Sequence, residues 1–159
     1  LRVICYSFIC RMTAYISNKK AHFNYEILET FEAGISLFGY EVKAVRAGRG
    51  KLEGGHVVVR GGEAFLVGAS ISHYQEANTP KNYDPERSRK LLFSKKELGH
   101  LETQGEQAGL TLVPIKLYNH GRNIKLEVAL ARGKKKQDKR ESIKARDTKR
   151  DIDRILKSQ

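Results

Sequence analysis

Residues 113–130 read VPIKLYNHGRNIKLEVAL. Val113, Ile115 and Leu117 alternate with Pro114, Lys116 and Tyr118; beyond Asn119–Arg122, Ile124, Leu126, Val128 and Leu130 alternate with Lys125, Glu127 and Ala129. A period of two sends successive side chains to opposite faces of a strand. The stretch therefore predicts an antiparallel hairpin with one apolar face and one mostly polar face carrying Lys116, Tyr118 and Lys125. Pro114 cannot donate to a ladder, so an edge or a bulge is expected there.

Upstream, His56–Arg60 (HVVVR) and Glu63–Gly68 (EAFLVG) flank Gly61-Gly62, the signature of a second hairpin. Asn24–Phe31 (NYEILETF) reads as a further strand. Ile35, Phe38, Val42 and Val45, at spacings of 3, 4 and 3, predict one face of a helix. Gly39 lowers the propensity of that helix and is expected to permit close packing. Between the hairpins, Ser72–Lys90 reads as irregular. A second helix starts at Ser94, whose hydroxyl and Glu97 form a capping-box pattern; Leu98, Leu101 and Ala108 supply its apolar face, and Gly109 ends it. Short strands joined antiparallel, with few helices, close into small barrels. The expected fold is mainly β: a small OB-like barrel with flanking helices over 18–132. An extension, 1–17, precedes it, with the natural start expected at Met12, and a tail, 133–159, follows.

The tail differs from the rest in composition. Its 27 residues hold 11 Lys+Arg, 5 Asp+Glu and no aromatic residue, too little apolar surface to fold alone. At 100° per residue, Lys139, Arg146, Arg150, Arg154 and Lys157 fall on one side, and Ala145, Ile152, Ile155 and Leu156 on the other. The tail is therefore expected to be disordered when free and to become a two-faced helix on a partner.

The whole chain carries 30 Lys+Arg against 18 Asp+Glu, a net charge of +12, which predicts attraction to polyanions. Its two cysteines, Cys5 and Cys10, and five scattered histidines offer neither a disulfide framework nor a metal-ligand spacing, so no metal is expected. No Walker-type loop, nucleophile pair or acid/base pair stands out, so neither catalysis nor a cofactor is expected. Glu41 and Glu32 are expected in structural ion pairs with Lys43 and Arg46. Leu1–Cys10 is apolar but far shorter than the roughly 18 residues a membrane span needs. A cytoplasmic monomer is the default.

Basic residues gather in four clusters: Asn18-Lys19-Lys20; Lys43, Arg46 and Arg49; Arg87, Arg89 and Lys90; and Lys134–Lys136. Tyr25, Phe31, Tyr83 and Tyr118 lie near them in the chain, and aromatic faces can stack unpaired bases. Ordered segments then become recognisable: Asn18–Ala21 (NKKA), Tyr25–Leu28 (YEIL), Phe31–Gly34 (FEAG), Gly39–Lys43 (GYEVK), Arg46–Gly48 (RAG), Asp84-Pro85, Arg87–Leu92 (RSRKLL), Leu110–Tyr118 (LTLVPIKLY), Ala131–Lys135 (ARGKK) and Asp138–Arg140 (DKR). In this order, over about three quarters of the chain, they resemble the SmpB family. The resemblance implies an OB-type barrel that binds the tRNA-like domain of transfer-messenger RNA and takes it to stalled ribosomes. There its tail would enter the empty mRNA channel as a helix. It implies RNA-facing roles for Asn18, Lys19, Glu32, Lys43, Arg46, Arg87, Arg89, Lys90 and Leu92. It implies ribosome engagement by Lys134, Lys135, Asp138, Lys139 and Arg140, which the basic stripe extends to Arg146 and Arg150. The family commonly has a ring just before the Asp, where this chain has Gln137, whose planar amide offers less stacking surface. Two other readings remain, another RNA-binding barrel of the translation apparatus and an RNA-modifying enzyme. The first would not need the two-faced tail, and the second would need a nucleophile or cofactor motif.

Overall fold

The computed structural model describes residues 14–75, 79–105 and 109–135, together with Gln137 and Thr148. In chain order the elements are β1 (Ala14–Ser17), α1 (Ala21–Asn24), β2 (Tyr25–Ile35), α2 (Gly39–Arg46), β3 (Gly50–Lys51), β4 (His56–Arg60), β5 (Glu63–Val67), β6 (Ser70–Ile71), β7 (Arg89–Leu92), α3 (Lys95–Gly105), β8 (Leu110–His120) and β9 (Asn123–Gly133). Both expected hairpins form. Gly61 and Gly62 take φ of 61° and 72°, as the tight turn between β4 and β5 requires.

All pairings are antiparallel, and the order β8–β4–β5–β7–β2–β9 returns to β8, so six strands close on themselves. The ring is uneven. β9 runs along the full length of both β8 and β2, whereas β4 meets β8 only at Val57–Leu112 and β7 meets β2 only at Gly34–Leu92 and Ile35–Leu91. β1 pairs with the far half of β8, from Lys116 to Tyr118. The sheet thus starts within the segment that the sequence reading assigned to an extension.

Inside the ring, Ala33, Leu66, Leu91, Leu112, Leu117, Leu126, Val128 and Leu130 form one buried cluster. Burying each large side chain contributes about 1.5–3 kcal/mol. α3 packs on β4 and β8 and delivers Leu101 into this cluster, fully buried. Its start is the expected capping box: Ser94 Oγ accepts from the Glu97 amide at 3.3 Å, and Glu97 Oε2 accepts from the Ser94 amide at 3.0 Å. Ala108 lies outside the described residues.

The face assignment of β8 needs correction. The register slips between Pro114 and Lys116, so Ile115 is the extra residue of a bulge, as Pro114 led one to expect. Side chains on either side of it are out of step. Leu112 and Leu117 enter the ring, whereas Val113 and Ile115 join Ala129, Ala131 and Ala21 in a second buried cluster on the outer wall, beneath α1. Tyr118, expected on a polar face, is fully buried.

α2 also departs from expectation. It begins at Gly39, so Ile35 stays in β2 and Phe38 sits at the helix entrance, half exposed. Among the described residues, a Cβ added at Gly39 would meet nothing within 4 Å, so this glycine does not serve close packing against them.

Candidate nucleic-acid interface

Behind α2 lies a buried ionic network. Glu41, on the first turn of α2, is 1% exposed. Its Oε2 accepts from the Phe38 amide at 2.8 Å and from Arg87 Nη2 at 2.5 Å; its Oε1 accepts from Arg87 Nε at 2.9 Å and Arg89 Nε at 3.1 Å. Arg89 is 0% exposed, and all five of its N–H donors find acceptors. Besides Glu41, these are the carbonyls of Ala69 (2.8 Å), Arg87 (3.0 Å) and Pro85 (2.8 Å) and the Tyr83 hydroxyl (3.2 Å). That hydroxyl donates to the Ile71 carbonyl at 2.9 Å. Burial works against the Glu41 charge, but the Arg87 hydrogen bonds, the Phe38 amide and the Arg89 charge outweigh it. The carboxyl is held below its ordinary range.

This geometry turns three of the expected RNA-facing residues wholly or partly inward. Arg89 has no surface to offer RNA, and Arg87 is committed to Glu41 and to the Phe38 ring, 4.2 Å from its guanidinium. Glu41, not paired with Lys43 or Arg46 as expected, is the counter-ion of both arginines. Asn18 is likewise internal, 6% exposed. Its amide donates to the Pro114 carbonyl at 3.1 Å and the Leu52 carbonyl at 3.4 Å, fixing the joint between β1 and α1. Tyr118 is fully buried and offers no face to a base, and Tyr83 is half-buried with its hydroxyl engaged in the network.

Other expected residues do converge, at the end of the barrel where β2, β7, α2 and the β8–β9 turn meet. Arg46 reaches from α2 to the Arg122 carbonyl at 3.5 Å. Lys125 Nζ donates to Glu32 Oε2 at 3.1 Å. Leu92, 58% exposed, lies against Gly34, where an added Cβ would stand 3.3 Å from the Leu92 Cβ. Between them is a cleft of ≈ 380 Å³, lined by Ile35, Leu37, Val42, Leu92, Arg122 and Lys125 among others. The Tyr118 hydroxyl and the Lys125 ammonium hold the Glu32 carboxyl below its ordinary range. Chemically, this end offers fixed cations for phosphates, an aliphatic floor for a ribose or base, and a carboxylate that can accept from ribose hydroxyls.

The remaining expected residues lie elsewhere. Lys43 is exposed on α2, and Lys90 pairs with Glu63 across β7 and β5. Lys19 is exposed beside Lys20, which pairs with Glu53 at 2.8 Å. Lys134 leaves β9 tied to α1: its amide donates to the Asn24 carbonyl at 2.9 Å and its ammonium to the His22 carbonyl at 3.0 Å. Lys135 and Gln137 follow it, and Asp138, Lys139, Arg140, Arg146 and Arg150 lie outside the described residues. Arg122 was missed by the sequence reading, although a turn residue beside a recognised strand pair is well placed to carry function. Among the described residues no helix is long and apolar enough to cross a membrane.

Comparison with known proteins places the chain in a family. The sequence model of the SmpB protein family matches residues 15–158. An SsrA-binding protein of Microcystis aeruginosa is 52% identical over 140 residues, covering 88% of this chain and 91% of its own. One from Burkholderia vietnamiensis is 49% identical over 143 residues, covering 90% and 97%. A chain of the solved structure "tmRNA-SmpB: a journey to the center of the bacterial ribosome" superposes with a TM-score of 0.64 at 44% identity, covering 80% of this chain and 92% of its own.

Proposed function

The chain belongs to the SmpB family, and from that premise we propose that it is a non-catalytic adaptor that binds transfer-messenger RNA through its tRNA-like domain and carries it to stalled ribosomes. The observation that carries this reading is the convergence of Glu32, Arg46, Leu92, Arg122 and Lys125 on one end of the barrel. Cations there bind phosphates irrespective of sequence, while the Glu32 carboxylate and the aliphatic floor favour a defined RNA surface over bare phosphate. Lys19 and Lys43, exposed away from this end, add to the overall positive charge that draws RNA in, and Lys90 joins them as the partner of Glu63. Asn18, Arg87 and Arg89 serve from inside, holding the segments that carry the contacts.

The ribosome-facing part of the work falls to the segment after β9, through Lys134, Lys135, Gln137, Asp138, Lys139, Arg140, Arg146 and Arg150. It acts as a helix once phosphates of an empty mRNA channel neutralise its basic stripe. The place of action is the cytoplasm, where ribosomes are found.

One experiment tests both halves. The full chain should bind transfer-messenger RNA much more tightly than a linear RNA of equal length at about 0.15 M salt, because phosphate contacts alone do not discriminate between them. A chain cut after Lys135, which keeps β9 and the Lys134 tie to α1, should retain that preference and lose peptide tagging on stalled ribosomes. Equal affinities for the two RNAs would overturn the adaptor reading. Tagging by the shortened chain would overturn the role given to the tail.

A further inference from the structure

On the other flank of α2, the rings of Tyr40 and Tyr74 line one cleft of ≈ 370 Å³ with Gly39, Lys43 and Gln75. We propose that this cleft takes one unpaired nucleotide of the bound RNA, its base stacked on the tyrosine rings and its phosphate on the Lys43 ammonium. The inference rests on the RNA-binding reading above and adds a base-stacking site to it.

Both rings are held in place before any ligand arrives. Tyr40 stacks on Phe38 with centroids 5.4 Å apart and planes 27° from parallel, and meets Tyr83 edge-on at 5.1 Å. Phe38 is fixed in turn by the Arg87 guanidinium, and Tyr83 by the Glu41–Arg89 network. Tyr74, 36% exposed, is held from its own backbone: Arg49 Nη1 donates to the carbonyls of His73 at 3.3 Å and Tyr74 at 3.1 Å, with the guanidinium 5.7 Å from the Tyr74 centroid. Rings whose freedom is already spent can stack a base at little further entropic cost.

The chemistry of the walls selects the occupant. Aromatic faces accept any base, and an ammonium beside them accepts a phosphate. Lys43 lines the cleft and Arg49 borders it at Tyr74, both exposed, in a chain with net charge +12, which attracts a polyanion and repels a basic peptide. Gly39 lines the cleft, and an added Cβ there meets no atom of the described residues within 4 Å, with φ outside the left-handed region. A larger side chain there can be accommodated by the fold yet would occupy part of the cleft.

The full chain and transfer-messenger RNA are the test pair. Stacking of one base is worth about 5- to 150-fold in affinity, so Tyr40→Ala and Tyr74→Ala should each weaken binding within that range. Tyr40→Phe, which keeps the ring, should lose far less than Tyr40→Ala. Gly39→Leu should weaken binding as the alanine changes do, with thermal unfolding unchanged. The preference of the unaltered chain for transfer-messenger RNA over linear RNA judges the adaptor reading, whereas these variants judge the cleft. Folded Tyr40→Ala and Gly39→Leu chains that bind as tightly as the unaltered one would overturn the proposal. A Tyr40→Phe loss equal to that of Tyr40→Ala would overturn stacking as its mechanism. Should the alanine variants fail to fold, Gly39→Leu alone decides.

Discussion

The inside of the barrel and the network behind α2 are both buried, but they are buried by different means. In the barrel, Leu66, Leu126 and Val128 are covered by other hydrocarbons, an interaction without direction that tolerates replacement by another apolar side chain. Behind α2, Glu41 and Arg89 are fully covered and Arg87 partly so, only because each charge faces its opposite and each donor an acceptor. Removing one member of such a set leaves the rest desolvated and unpaired. The barrel is therefore stabilised by area and the α2 flank by completeness, and the two should fail differently.

The largest effect is expected from Glu41→Ala, which strands a fully buried Arg89; a loss of about 3–5 kcal/mol in urea unfolding is predicted. A loss under about 1 kcal/mol would mean that water replaces the carboxylate and the contrast is false. The same pair sharpens the comparison through pH. The folded Glu41 carboxyl lies below its ordinary 4.5, so its stabilisation is present above that pH and lost as pH falls through the lowered value. Tm of the unaltered chain should drop in that acid window, and Glu41→Gln should flatten the drop.

Next in size is Leu126→Ala inside the ring, with about 2–5 kcal/mol lost to transfer and cavity terms. Its acid dependence should match that of the unaltered chain, since the network is untouched. A changed acid profile would show that the two regions are coupled. The smallest effect belongs to Lys116→Ala, which opens the 2.8 Å pair with Glu127 on the outer wall. Both side chains there are partly solvated, so no more than about 1 kcal/mol should go, measured by the same urea titration.

The barrel was legible because alternation is written in consecutive residues. Ile124, Leu126, Val128 and Leu130 all enter the ring as their spacing demanded. The network was not, because Glu41 and its partners are joined across 46 and 48 positions, and charge in a sequence reads as surface. A signal did exist. In β7 the pattern Arg89-Lys90-Leu91-Leu92 alternates buried and exposed, so Leu91 in the core already placed Arg89 on the same side and sent Lys90 and Leu92 outward. The helix boundary was misjudged for a local reason. Ile35 and Phe38 fit a helical spacing, but Ile35 is held by its ladder partner Leu91 and Phe38 by the entrance to α2. Of the candidate site, Glu32, Arg46 and Leu92 could be named from motifs. Their meeting with Arg122 and Lys125 depends on closure of the ring.

The extra residue at Ile115 acts as a change of phase. Without it, β8 would present a single rhythm, and every second side chain from Leu112 onward would keep to one side. With it, the first half of the strand lends Val113 and Ile115 to the outer wall, and the second half returns Leu117 to the inside. The apolar seat this creates holds Ala21 of α1, and the backbone of α1 in turn receives Lys134. The bearing on which the last segment of the chain departs is thus set by one inserted residue on a neighbouring strand. A one-residue frame shift there would re-aim the departing chain without altering a single residue in it.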